Sequence, residues 1–173
     1  MNKELEQLLE GNKRYLNEAS TADYSFKRRV EQKADGQHPI ACVVTCSDSR
    51  VVPEKIFDAS LGEIFVTRVI GNIIDKDELA SIDYAVNHLG AKLVIILGHT
   101  ECGAIKAAMY HKSSGYSRKI IRQIKKCIHS QSNELEADKV NALYWKKVLA
   151  KKFKNIEVEA MLYNIENGKV ALL

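Results

Sequence analysis

The sequence predicts an α/β fold. A mostly parallel central β-sheet, about four parallel strands plus an antiparallel edge strand, is flanked by helices and preceded by an N-terminal helical extension. Three observations lead there. Two short apolar runs, Ile40-Ala-Cys-Val-Val-Thr45 and Lys92-Leu-Val-Ile-Ile-Leu97, show the continuous hydrophobicity of strands buried on both faces. Segments of helical period lie between such runs, so strands and helices alternate as in βαβ units. Near the C-terminus a strand pattern is followed by Asn167-Gly168 and another apolar run, the mark of an antiparallel hairpin.

Each element follows from its residues. Leu5, Leu8, Leu9, Asn12 and Leu16 recur at helical spacing and predict an amphipathic N-terminal helix. That helix precedes any strand, so it packs either on a partner subunit or on its own sheet. Residues 17–39 are polar and mixed, ending in the turn signal Gly36-Gln-His-Pro39. The first strand is Ile40 to Thr45, and Pro53 opens a short helix, where its missing N–H is harmless. Glu63 to Arg68 reads as the second strand. Asp77 caps a helix carrying Leu79, Ile82, Val86 and Leu89, stopped by Gly90. Lys92 to Leu97 is the third strand, and Gly103 begins the next helix. A loop at Ser113-Ser-Gly115 leads to two more helices near 117–130 and 138–152. Ile156 to Tyr163 is the fourth strand, and Val170 to Leu172 returns as the edge. The whole reads as one domain, residues 1–173, with 1–35 a helical arm and 36–173 the α/β core.

Composition excludes several classes. No apolar run approaches the roughly 20 residues of a membrane span. Met1-Asn-Lys-Glu-Leu-Glu-Gln carries no signal-peptide core, so a cytoplasmic location is expected. Four cysteines in such a chain need no disulfide framework. Cys42 within a strand and Cys127 on a helix's apolar side read as small core residues. The net charge of +4 is mild, and its positives gather in 118–126 and 146–154. Ile120, Ile121, Ile124 and Ile128 keep helical spacing between those cations, which makes them a solvated helix face. No aromatic interleaving or binding motif points to nucleic acid.

The chemistry is carried by two strand ends. Cys46 closes the first run and opens Cys46-Ser-Asp-Ser-Arg50; His99 and Cys102 follow the third strand in Gly98-His-Thr-Glu-Cys-Gly103. In an open α/β sheet the C-terminal strand ends line the ligand crevice. Two thiols and an imidazole suit zinc, and three protein ligands leave a fourth position for water. Cys102 precedes a helix, whose dipole favours the thiolate. Asp48 and Arg50 are two residues apart, share a face on an extended segment, and can pair. A carboxylate so held stays ionised and can orient a nucleophile; Asp48 could also be a fourth ligand that closes the site. The Cys-to-Arg spacing is too short for the phosphate loop of cysteine phosphatases, and Asp48 would repel an anion there.

Cys46-Ser-Asp-Ser-Arg50 with His99-Thr-Glu-Cys102-Gly103 resembles the signature of the β-class carbonic anhydrases. The similarity extends through Gly36-Gln-His-Pro39, Val52-Pro-Glu54, Ile56-Phe57, Arg68-Val-Ile-Gly-Asn72 and Ser81-Ile-Asp-Tyr-Ala85, and resumes from Val158 to Lys169. The resemblance implies one Zn2+ per chain held by Cys46, His99 and Cys102. It implies Asp48 and Arg50 as the catalytic dyad in reversible hydration of CO2 to bicarbonate, with a hydroxide on zinc as nucleophile. It implies Gln37 reaching across a dimer interface to the bicarbonate, Phe65, Ile70 and Tyr84 as apolar pocket walls, and the Gly103 backbone beside the anion. The implied assembly is a homodimer, or a tetramer, with the active site shared between subunits. No proton shuttle is assigned, and His88, His111 and His129 read as surface residues.

The departures are specific. Val43 stands where some relatives place the Trp of an inhibitory bicarbonate pocket, so that regulation is not expected. The late strand reads Val-Glu-Ala-Met where relatives usually have a Gly, and the chain is short for the family. Two alternatives share the metal motif: a carbonyl sulfide or carbon disulfide hydrolase, and an inactive zinc-stabilised scaffold. The presence of Asp48, Arg50 and Gln37 together favours an enzyme.

Overall fold

A computed structural model describes residues 2–110, 114–129, 131 and 133–173. Ser113 of the expected loop and His111 lie outside the described residues. Five strands, β1 (Ala41–Thr45), β2 (Ile64–Arg68), β3 (Leu93–His99), β4 (Glu157–Tyr163) and β5 (Val170–Leu172), form one sheet in the order β2-β1-β3-β4-β5. The β1/β2, β1/β3 and β3/β4 pairs are parallel, and β4/β5 is antiparallel, as the hairpin signal predicts.

Alternation sorts each strand's side chains between two layers. Every residue of β1 and β3 is buried, so both faces of the sheet's centre are covered. Cys42, Val44, Val94, Ile96, Val158 and Ala160 face a layer built by α4 (Lys76–Asn87), α5 (Gly103–Met109), α6 (Arg118–Ile128) and α7 (Glu134–Lys152). Ala41, Val43, Leu93, Ile95, Leu97 and Met161 face the opposite layer, built by α1 (Lys3–Leu16) and α3 (Pro53–Ile56). Cys42 and Cys127 are buried members of the first layer, and all four cysteines are free thiols.

The N-terminal helix α1 packs on its own sheet. Leu5 and Leu8 are buried beside Ile56 and Phe57, and a Cβ on Gly11 would lie 1.8 Å from the Phe57 carbonyl oxygen, so only glycine permits the approach. Buried Asn12 donates to the Ile56 and Gly168 carbonyls (3.0 Å each) and accepts from Val170 N–H (3.0 Å), tying α1 to α3 and the C-terminal hairpin.

Beyond one-residue shifts at strand starts, one helix was not expected and three boundaries stand elsewhere than expected. The segment 17–39 contains a helix, α2 (Phe26–Asp35), capped by Ser25, whose hydroxyl accepts from Arg28 N–H at 3.1 Å. None of its residues is buried, although Phe26, Val30 and Ala34 keep helical spacing within a segment otherwise rich in polar residues. The cap of α4 is Asp75 rather than Asp77: Asp75 accepts from Asp77 N–H, and Glu78 accepts from Asp75 N–H, a capping box. Helix α7 begins at Glu134 rather than 138, capped by Asn133. Strand β3 runs on through His99, because Gly98 and His99 continue the ladder to Leu162 and Tyr163 of β4.

Candidate metal centre

The sheet order places a topological switch between β1 and β3. From β1 the chain crosses to β2 on one side, then to β3 on the other, which opens a crevice at the C-terminal strand ends. Cys46 follows β1, His99 ends β3, and Cys102 is the N-cap of α5. Their Sγ atoms and a ring nitrogen lie within 4.8 Å of one another, and all three residues are buried. Among the described residues this is the one such group of three or more His, Cys, Asp or Glu. The two sulfurs are 4.0 Å apart, in hydrogen-bond contact and not joined by a disulfide.

The donor set fits zinc on an observation beyond proximity. His99 Nδ1 lies 2.9 Å from the Thr100 carbonyl, which only an Nδ1–H can satisfy, so Nε2 carries the free lone pair. That Nε2 is buried and has no hydrogen-bond partner among the described residues. A buried, oriented nitrogen lone pair beside two sulfurs is what a thiophilic divalent ion requires.

The sulfurs are electrically unequal. The Cys102 thiol hydrogen-bonds Cys46 and, against the opposing effect of burial and with help from His99 and the Gly71 and Asp48 backbones, pulls the Cys46 thiol down to about 4. Donating to an ionised neighbour drives Cys102 the other way, and burial adds to it. Burial lowers the basicity of His99, but the Cys46 sulfur, the Thr100 carbonyl and Asp48 together raise it.

Two arginines shape the loop after β1. Arg50 holds Asp48 through Nε (3.0 Å), Nη2 (2.8 Å) and its backbone N–H (3.0 Å), keeping the carboxyl well below the usual carboxylate range. Arg50 also lies 3.9 Å from Glu101, bridging the two ligand loops. Asp48 faces Arg50 and is not a member of the three-residue cluster. Arg68, at the end of β2, donates to the carbonyls of Cys46 (3.1 Å), Asp48 (2.8 Å) and Val51 (2.7 Å). Left-handed backbone at Glu101 (φ 59°) and Asn72 (φ 42°) flanks the site on both sides.

The remaining expected residues are placed unequally. Phe65 on β2 and Tyr84 on α4 bring their rings to 6.4 Å, and Tyr84 stacks on His88 at 5.2 Å while staying 48% exposed. Ile70 is half-buried at the start of a 3₁₀ turn, Ile70–Asn72, whose Gly71 N–H reaches Cys46. Gly103, exposed, is the first residue of α5, next to Cys102. Gln37 is not brought to the cluster within this chain. It lines a cavity of about 600 Å³ with Tyr24, Val52, Lys55 and Ile64, and no member of the Cys46, His99 and Cys102 cluster borders it.

Three residues at the site escaped sequence reasoning. Arg68 was visible only as part of a motif, although a cation ending a strand beside a ligand loop is a signal. Asp138 and Asn141 fall in the buried stripe Asp138, Asn141, Ala142, Trp145 and Leu149 of α7, where two polar residues among apolar ones call for an explanation. Neither Asp138 oxygen has a hydrogen-bond partner among the described residues; burial pushes its carboxyl up to about 7, against the pull of His99 and the Glu101 and Cys102 backbones.

Comparison with known proteins agrees with this geometry. A family model described as carbonic anhydrase matches residues 41–172. Carbonic anhydrase 2 of Mycobacterium tuberculosis is 39% identical over 123 residues, 68% of this chain; the match spans 59% of that relative's length. A β-carbonic anhydrase of the fungus Aspergillus fumigatus superposes with a TM-score of 0.72 at 27% identity, covering 99% of this chain and 91% of the other. One of two tetrameric β-carbonic anhydrases of Sordaria macrospora shares the fold at a TM-score of 0.73 and 23% identity, covering 99% and 98%.

Proposed function

The chain belongs to the β-class carbonic anhydrase family, and on that premise we propose that it catalyses the reversible hydration of CO2 to bicarbonate and a proton. The observation that carries the proposal is the convergence of Cys46, His99 and Cys102 within 4.8 Å, with an Asp48–Arg50 pair on the adjoining loop. Cys46, His99 and Cys102 would hold one zinc ion. Zinc held there supplies Lewis acidity that brings the pKa of water from 15.7 to about 7.

The chain's own groups do the rest. Asp48, kept ionised by Arg50, accepts a hydrogen bond from the attacking water and aims its lone pair at carbon. Ile70, Phe65 and Tyr84 form an apolar wall suited to CO2, which has no charge to be solvated. The Gly103 backbone lies beside the bicarbonate formed. Gln37 donates to that product from a second copy of the chain, since within one chain it opens into a different cavity. The working unit is therefore a homodimer, with a tetramer built from two of them, and the expected place of action is the cytoplasm. Among the described residues no helix is long and apolar enough to cross a membrane.

Stopped-flow CO2 hydration across pH, on protein of determined zinc content, tests the reading. Zinc-dependent activity rising toward alkaline pH supports it. Stoichiometric zinc with no hydration at any pH refutes it; assays with carbonyl sulfide and carbon disulfide then separate a hydrolase from an inactive scaffold.

A further inference from the structure

Asn141 stands where helix physics argues against it. It lies in the interior of α7, where asparagine is a poor helix former, and it is fully buried, at 0% exposure. Its Oδ1 is buried with no hydrogen-bond partner among the described residues, so the site does not even satisfy the side chain completely. An apolar residue would pack this stripe, shared with Ala142, Trp145 and Leu149, at lower cost. Among the described residues the one side-chain bond Asn141 makes is from Nδ2 to the Gly71 carbonyl, 2.9 Å and 70 residues away in sequence.

Gly71 is built for an unusual task. Its φ of 68° and ψ of 23° are left-handed, and Asn72 after it is left-handed as well. A Cβ on Gly71 would lie 2.4 Å from Ile124 Cδ1, so another residue would have to push that side chain aside as well as adopt a left-handed backbone. This bend turns the Gly71 N–H onto Cys46 Sγ at 3.2 Å. The two peptides flanking Gly71 thus have opposite attachments: one donates to the sulfur, and the other is held by Asn141.

We propose that Asn141 is a positioning residue: by anchoring the Gly71 carbonyl it keeps the Gly71 N–H on the Cys46 sulfur and so sets the donor strength of that metal ligand. An N–H aimed at a thiolate withdraws electron density from sulfur. A weaker sulfur donor leaves a bound metal more Lewis acidic, and partners of this kind orient and tune ligands elsewhere. The inference rests on Cys46 being a metal ligand and goes beyond that assignment.

The experiment uses the full-length protein loaded with Co2+ or 113Cd2+. In the parent, a sulfur-to-cobalt charge-transfer band must appear; its absence would overturn the ligand assignment itself and is thereby distinguished from failure of the Asn141 role. With 113Cd2+, the Gly71 amide proton is expected to show scalar coupling to the metal through the sulfur. Absence of that coupling in a parent that carries the band overturns the proposal without any variant. Asn141→Leu is expected to move the band to lower energy, as the sulfur becomes a stronger donor, and to abolish the coupling; the lost orientation of Cys46 outweighs that gain and weakens Zn2+ binding about 10- to 100-fold. Asn141→Ala serves if the branched side chain is not accommodated. Leu149→Ala, in the same stripe, is expected to lower thermal stability while leaving band and coupling in place. A band and coupling unchanged in the Asn141 variants, with zinc affinity within threefold of the parent, would refute the positioning role.

Discussion

Replacing Arg68 with Met removes three hydrogen bonds from the loop that carries Cys46 and Asp48 while keeping most of the aliphatic stem. The bond to the Asp48 carbonyl is exposed, and water replaces it at little cost. Those to Cys46 and Val51, at 3.1 and 2.7 Å, are partly buried and are not so easily replaced. A hydrogen bond to a charged group contributes about 1.5–3 kcal/mol, and two sharing one guanidinium are not additive, so the loss is about 2–4 kcal/mol. In a chain of this length each kcal/mol moves the melting temperature by about 2–4 °C, giving a fall of about 4–16 °C by calorimetry of the metal-free protein. One of the freed carbonyls belongs to Cys46, so zinc affinity, read by competition with a chromophoric chelator, is expected to drop about 10- to 100-fold. Arg68→Lys, with a point charge in place of a fork, should fall between the two. If Arg68→Met melts within about a degree of the parent and binds zinc equally well, the clamp does not hold the loop and the argument fails.

Asp58, buried under half-exposed Arg14 (2.5 Å), Ser20, and the backbones of Thr21 and Ala22, pins the segment after α1; Asp58→Asn should cost about 1–3 kcal/mol in urea unfolding. Burial alone would raise the Asp58 carboxyl, but these donors hold it below its unfolded value of about 3.9. Its contribution is therefore present above about pH 4 and lost as pH falls toward the folded value, so the variant should show a shallower acid limb; an acid limb identical to the parent's would sink this account. Asp48→Asn should keep zinc content unchanged while lowering kcat/KM about 100-fold or more, and activity within threefold of the parent would remove Asp48 from the mechanism. Zinc binding to the metal-free protein should release about two protons at pH 9, one from Cys102 and one from the water that completes the site, since Cys46 is ionised from about pH 4 upward. As pH falls, His99 adds a proton below its raised value while the water keeps its own below about pH 7. Calorimetry in buffers of different ionisation enthalpy counts these protons, and release of three at pH 9 would contradict an ionised Cys46.

The parallel strands were legible because β1 and β3 are buried on both faces, which forces continuous apolar runs at Ala41–Thr45 and Leu93–Leu97. Helix α2 was not, because its stripe is only Phe26, Val30 and Ala34 among charged residues, and it buries nothing on this chain. The capping residue of α4 was misplaced by two positions, since Asp75 and Asp77 are chemically identical candidates and only backbone geometry chooses between them. The packing of α1 was left open by its stripe; Gly11 against Phe57 and the bonds of Asn12 settle it onto this chain's own sheet.

For the site, residue order was enough to single out the candidate metal ligands Cys46, His99 and Cys102 and the Asp48–Arg50 pair. Their spacing is local, and a strand end displays whatever follows it. Tertiary structure alone decided that the two ligand loops meet, through a strand order that puts β1 beside β3. It alone decided which His99 nitrogen is free, that Arg68 grips the Cys46 loop, and that Asn141 stands behind Gly71. Those relations join residues up to 70 positions apart through hydrogen bonds. A hydrogen bond depends on distance and angle in space, which residue order does not encode locally.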